Sequence, residues 1–202
     1  MIWSVNENTK IALGRLLGAF ESDFDDVVKL IKMFGIAAKI YSGRSRYGGK
    51  EPYLNHALRV GLILLEESKI HETDVISAGI LHDVLDNKGQ NTITLEQLYT
   101  QCGQNISDMI KKVTEPVVGN ENREKLLDLY FQNISKAPKH HRYIILADRL
   151  ENIRFLKNMP KSESVLRYKL ETQKYVMPIA EQTDETLALK LSIALYEIKN
   201  EY

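Results

Sequence analysis

Apolar residues recur every three to four positions through almost the whole 202-residue chain, and no stretch alternates apolar with polar in the manner of a strand. That single periodicity predicts an all-α fold, a bundle of about nine to ten helices. The predicted helices cover 9–20, 23–41, 54–68, 73–86, 94–102, 105–114, 122–135, 140–156, 162–175 and 184–201. Several starts carry capping residues: Thr73 before Asp74, Thr94 with Gln97 three residues on, and Ser162 two residues after Pro160. Gly89, Gly103, Gly119 and the Asn158-Met159-Pro160 run supply stops. The connections are short, which favours antiparallel neighbours. The length suits one domain, expected over residues 23–202, with an N-terminal helical extension over 1–22.

Charge narrows the partners. Lys plus Arg number 27 and Asp plus Glu number 27, so no global basic field selects nucleic acid or an anionic membrane. A local basic pocket for a small anion is compatible with that balance. No apolar run approaches membrane-spanning length, and Glu7 and Arg15 sit where a signal peptide would be uncharged or apolar. The single cysteine, Cys102, forms no internal disulfide and suits a reducing compartment. A cytoplasmic protein is the expectation.

The chemistry concentrates at His82-Asp83, set within the apolar run Ser77-Ala78-Gly79-Ile80-Leu81-His82-Asp83-Val84-Leu85. Burying an imidazole and a carboxylate without partners costs several kcal/mol, and one divalent cation satisfies both. Two further candidates lie in similar company: His56 in Tyr53-Leu54-Asn55-His56-Ala57-Leu58 and Asp148 in Ile144-Ile145-Leu146-Ala147-Asp148-Arg149-Leu150. A lone histidine on an apolar helix is more often a core residue than a ligand; four such groups in matching settings favour a metal site. Two imidazoles and two carboxylates suit Mn²⁺, Fe²⁺ or Zn²⁺ and leave positions open for water or a phosphate oxygen. His71, His140 and His141 have polar neighbours and read as solvated. On a continuous helix Asp86 shares a face with His82 and Asp83, where its carboxylate orients or deprotonates water; its bland alternative is a surface acid at a helix end.

Residues 42–50, Ser-Gly-Arg-Ser-Arg-Tyr-Gly-Gly-Lys, form a basic loop before the His56 helix. Its glycines allow close backbone approach to a ligand, and Arg44, Arg46 and Lys50 supply charge. The bland alternative for Arg46 is a solvated loop charge.

In this order, His56…His82-Asp83…Asp148 resembles the H…HD…D signature of the HD phosphohydrolase superfamily. The flanking text is narrower. Gly43-Arg44-Ser45-Arg46, Glu51-Pro52-Tyr53-Leu54-Asn55-His56, Ala78-Gly79-Ile80-Leu81-His82-Asp83 and Leu146-Ala147-Asp148-Arg149-Leu150-Glu151-Asn152-Ile153-Arg154 resemble the hydrolase domain of Rel/Spo-type alarmone enzymes. Lys112-Val113-Thr114-Glu115 also fits. The resemblance covers 23–202 without a synthetase domain, as in the stand-alone small alarmone hydrolases. It implies an HD-type helical bundle that removes pyrophosphate from the 3′ position of guanosine 3′-diphosphate 5′-diphosphate (ppGpp), with Mn²⁺. His56, His82, Asp83 and Asp148 become the metal ligands. Arg46 matches an arginine of the substrate loop, and Asn152 a nucleoside-contacting asparagine.

Three positions depart from that pattern. Asp86-Asn87 stands where the family usually has Glu-Asp; Asp86 is one methylene shorter, and Asn87 is no base. Tyr47 replaces a basic residue of the loop, with Lys50 and Arg44 nearby to compensate. Tyr41 stands where the family often has His. The expected catalytic pair is therefore Asp86 with Asn87, and the expected substrate contacts are Arg46, Tyr47, Lys50 and Asn152. Two alternatives use the same residues: a hydrolase of another nucleotide phosphoester, and a low-turnover nucleotide-binding module. The expected partner is a small nucleotide, with a homodimer as one option for assembly.

Overall fold

The computed structural model describes residues 5–46, 49, 51–86, 91–116, 122–160 and 162–198. The chain divides into two compact units, Met1–Thr114 and Glu115–Tyr202. The first contains α1 (Glu7–Gly18), α2 (Phe24–Ile40), a short antiparallel pair β1 (Ser45–Arg46) and β2 (Glu51–Pro52), α3 (Tyr53–Leu62), α4 (Thr73–Ile80), α5 (Leu95–Cys102) and α6 (Gln104–Val113). The second contains α7 (Arg123–Ser135), α8 (Lys139–Leu156), α9 (Glu163–Glu171), α10 (Met177–Thr183) and α11 (Glu185–Glu197). The all-α expectation holds. Two predicted helices run on as π-helical turns, α3 through Ile63–Glu67 and α9 through Thr172–Val176.

Side chains set most starts. Asp23, Thr94, Ser162 and Asp184 each accept the backbone N–H three residues on, and Gln97 returns the bond to Thr94 as a capping box. Thr73 is not itself a cap: it is the first helical residue, and its hydroxyl donates to Asp26 at 2.6 Å, tying α4 to α2. The short α10 is absent from the predicted helices; Pro178 sits in its first turn, where proline is tolerated.

In the first unit α3 packs on α1 and α4, and α4 on α2 and α6. Two glycines bring α3 and α4 close. A Cβ on Gly79 would lie 2.4 Å from Leu64 Cδ1, and one on Gly61 would lie 3.0 Å from Ile80 Cγ1. Leu16, Leu58, Leu64 and Ile76 are fully buried there, each contributing about 2 kcal/mol of apolar burial. In the second unit α8 runs against α10 and α11, with Ile144, Leu146, Leu150, Leu187 and Leu191 inaccessible. Among the described residues, no helix is long and apolar enough to cross a membrane.

Candidate metal centre

His56 lies in the first turn of α3, one turn after Tyr53, and is 1% exposed. His82 is 6% exposed and lies just past the end of α4. The predicted helix over 73–86 therefore stops early, at Ile80, and the shared helical face expected for His82, Asp83 and Asp86 does not exist. The reason is a competition for backbone groups. In a continued helix the Gly79 carbonyl would take the Asp83 N–H. Here it accepts from His82 Nδ1 at 2.8 Å. The Asp83 N–H donates to the Tyr41 hydroxyl at 3.3 Å, and that hydroxyl donates to the Ile80 carbonyl at 3.3 Å. One phenol thus satisfies both groups orphaned by the helix end. Burial pushes the Tyr41 hydroxyl well above its ordinary pKa, helped by the Asp83 charge, so it stays a donor.

The break aims two imidazoles at one point. His56 Nε2 and His82 Nε2 lie 3.4 Å apart. Two imidazole nitrogens bound at about 2.1 Å to one tetrahedral ion sit about 3.4 Å from each other, so the pair fits a shared cation. The Gly79 carbonyl holds the His82 proton on Nδ1 and leaves Nε2 as the lone-pair donor. Asp83 Oδ2 lies 3.5 Å from His82 Nε2 and accepts from the Tyr53 hydroxyl. These residues fit the divalent metal that the sequence implied. On the far side of His56, Arg46 Nη1 lies 3.2 Å from Nδ1, and Arg46 is buried.

Asp86 is held by Arg44. The guanidinium bonds both carboxylate oxygens, at 3.1 and 2.9 Å, with the two side chains about nine-tenths buried. It also lies over the Tyr53 ring at 4.1 Å and the Tyr41 ring at 5.1 Å. The sequence reading counted Arg44 as loop charge and passed over Tyr53. The available signal for Tyr53 was its position three residues before His56, on the same helical face.

Asp148 and Asn152 lie in the second unit, four residues apart on α8, both half-buried. Asn152 Nδ2 donates to Asp148 Oδ1 at 2.7 Å, so the asparagine orients the carboxylate. The neighbouring Arg149 is buried beneath Tyr168, its guanidinium 4.4 Å from the ring centre. Tyr47, Lys50 and Asn87 fall outside the described residues. Of the histidines read as solvated, His71 and His140 are exposed and His141 is half-buried.

Residues 34–184 match the family described as HD domain. The chain is 32% identical over 108 residues to the guanosine-3′,5′-bis(diphosphate) 3′-pyrophosphohydrolase MESH1 of Xenopus tropicalis, covering 54% of this chain and 58% of that one. It is 26% identical over 160 residues to the bifunctional (p)ppGpp synthase/hydrolase SpoT of Escherichia coli, covering 77% of this chain and 22% of that one. A solved structure of a metazoan orthologue of SpoT that hydrolyses ppGpp superposes with a TM-score of 0.72 at 26% identity, covering 84% of this chain and 94% of that one. The match thus spans little more than half the length of the MESH1 relative and about a fifth of SpoT.

Proposed function

The chain belongs to the HD domain family, and from that premise we propose that it hydrolyses the 3′-pyrophosphate of ppGpp, or of a closely related nucleotide, with one divalent metal. The observation that carries the reading is the His56–His82 pair, buried, with Nε2 atoms 3.4 Å apart. MESH1 and SpoT, to which the chain is 32% and 26% identical over the matched stretches, are named for chemistry on this nucleotide.

In this reading His56, His82, Asp83 and Asp148 hold the metal, which is Mn²⁺; the place of Asp148 in the set rests on the sequence pattern. The bound ion supplies acidified water and a polarised phosphoryl oxygen. Water adds to the phosphorus attached at the 3′ oxygen, the P–O3′ bond breaks, pyrophosphate leaves, and the 3′ oxygen gains a proton. Gly79 and Tyr53 fix the orientations of His82 and Asp83. Asp86 already accepts two N–H groups from Arg44, so its role is to orient water rather than to carry the proton away. Arg46, beside His56, neutralises phosphate charge; Lys50 assists it, Asn87 helps to position the water, and Tyr47 and Asn152 line the nucleoside end.

The test is pyrophosphate release from ppGpp by protein reloaded with Mn²⁺, beside Asp83→Ala. Turnover in the wild type, lost in the variant, is expected. A wild type that binds Mn²⁺ and releases nothing from ppGpp or its relatives would falsify the reading.

A further inference from the structure

Helix α1 lies wholly outside the stretch that matches the HD domain family, 34–184, yet it is bonded to the residue beside a candidate metal ligand. The α3 helix follows Pro52, whose side chain makes no capping hydrogen bond, and its first turn carries His56. That turn is held instead by Asn55, which is 2% exposed. The hydroxyl of Thr9, fully buried on α1, donates to Asn55 Oδ1 at 2.5 Å. Asn55 Nδ2 donates back to Asn6 Oδ1 at 3.2 Å and to Glu51 Oε1 at 3.4 Å. Asn6 and Thr9 are themselves locked as the capping box of α1. Glu51 is fixed by a two-pronged ion pair with Arg59, at 2.6 and 2.9 Å. Leu16 seats the far end of α1 against Gly61, and Arg15 pairs with Glu66.

The contacts fall into two kinds. Leu16 and its neighbours bury apolar surface, which glues α1 to α3 without dictating a register. The Asn6–Thr9–Asn55 triangle is directional and desolvated, and it acts at the residue next to His56. Polar groups bonded directly to a ligand are worth ~10–100-fold in metal affinity. This network reaches His56 only through the backbone of the α3 first turn, so a smaller effect is expected. We infer that α1 is a positioning element of the metal centre, with the Thr9–Asn55 hydrogen bond setting the orientation of His56. The inference rests on the metal reading above and adds to it a residue from beyond the family's domain.

The experiment uses the full chain, stripped of metal and titrated with Co²⁺, read by calorimetry and by the visible absorption of the bound ion at 10 °C. Thr9→Val keeps the side-chain shape and removes the donor. It is expected to weaken Co²⁺ binding several-fold and to shift the absorption spectrum, and Thr9→Ser is expected to restore both. Asn6→Ala, a milder change at the exposed start of α1, is expected to weaken binding in the same direction. Leu187→Ala in the second unit lowers stability without touching this network and is expected to leave affinity and spectrum unchanged. Wild-type affinity and spectrum in Thr9→Val or Asn6→Ala, with both folded by circular dichroism, overturn the inference alone. A wild type that binds no Co²⁺ overturns the metal reading and the inference together.

Discussion

The Tyr41 hydroxyl takes over, at the Asp83 amide, the hydrogen bond that another turn of α4 would have supplied. Because it also donates to Ile80, Tyr41→Phe leaves a buried donor and a buried acceptor unpaired, each costing about 1–3 kcal/mol. The variant is expected to lose about 2 kcal/mol or more in urea unfolding and to bind Mn²⁺ more weakly, because the 81–83 turn that presents His82 loses its anchor. An unchanged unfolding midpoint would show that the turn is held some other way.

Arg44 and Asp86 form a buried pair, and removing one partner from such a pair costs about 3–5 kcal/mol. Arg44→Ala is expected to fall in that range. Arg44→Lys keeps a charge but loses the fork and the stacking on Tyr53, and is expected to lie between it and the wild type. If Asp86 orients water as proposed, steady-state kinetics on the lysine variant should show kcat lowered more than KM changes, since the carboxylate loses its fixed partner.

Gly79 is a third test, because steric and chemical consequences coincide there. An added Cβ would meet Leu64 Cδ1 at 2.4 Å, and the same residue's carbonyl orients His82. Gly79→Ala is expected to cost about 1–3 kcal/mol through overpacking and to weaken metal binding. Pairing it with Leu64→Ala relieves the clash and should recover much of the lost affinity; no recovery would mean that the carbonyl's place does not depend on this packing.

Cys102 gives the pH prediction. Burial pushes its thiol up to about 11, partly offset by the Lys32 charge. A raised pKa disfavours the thiolate, so at pH 8 roughly one thiol in a thousand is ionised. Alkylation by iodoacetamide is expected to be slow at pH 8, to rise about tenfold per pH unit up to about pH 11, and to leave metal binding intact. Reaction at the rate of a free cysteine at pH 8 would contradict the burial.

The sequence made the helices and the burial of the candidate ligand histidines legible because both follow from local pattern. His56 and His82 announce themselves by apolar neighbours, and both are buried. The end of α4 was not legible. Its cause, Tyr41, lies some forty residues upstream, and Tyr41 read only as a departure from a family habit. The same distance hid the partner of Asp86, which looked like a free carboxylate at a helix end and is held by Arg44. The short α10 between the predicted helices over 162–175 and 184–201 was also missed; Pro178 lies in its first turn, a position that tolerates proline.

The short β1–β2 ladder has one more consequence. Arg44 reaches Asp86, Arg46 reaches His56 and Glu51 reaches Arg59, so the side chains flanking 47–50 are all moored to the first unit. The four residues between them can then be rewritten in length and charge with the His56–His82 pair left standing. On the proposed reading, a lineage or a library built on this scaffold can tune its phosphorylated guest through 47–50 while Arg46 and Asn152 are kept.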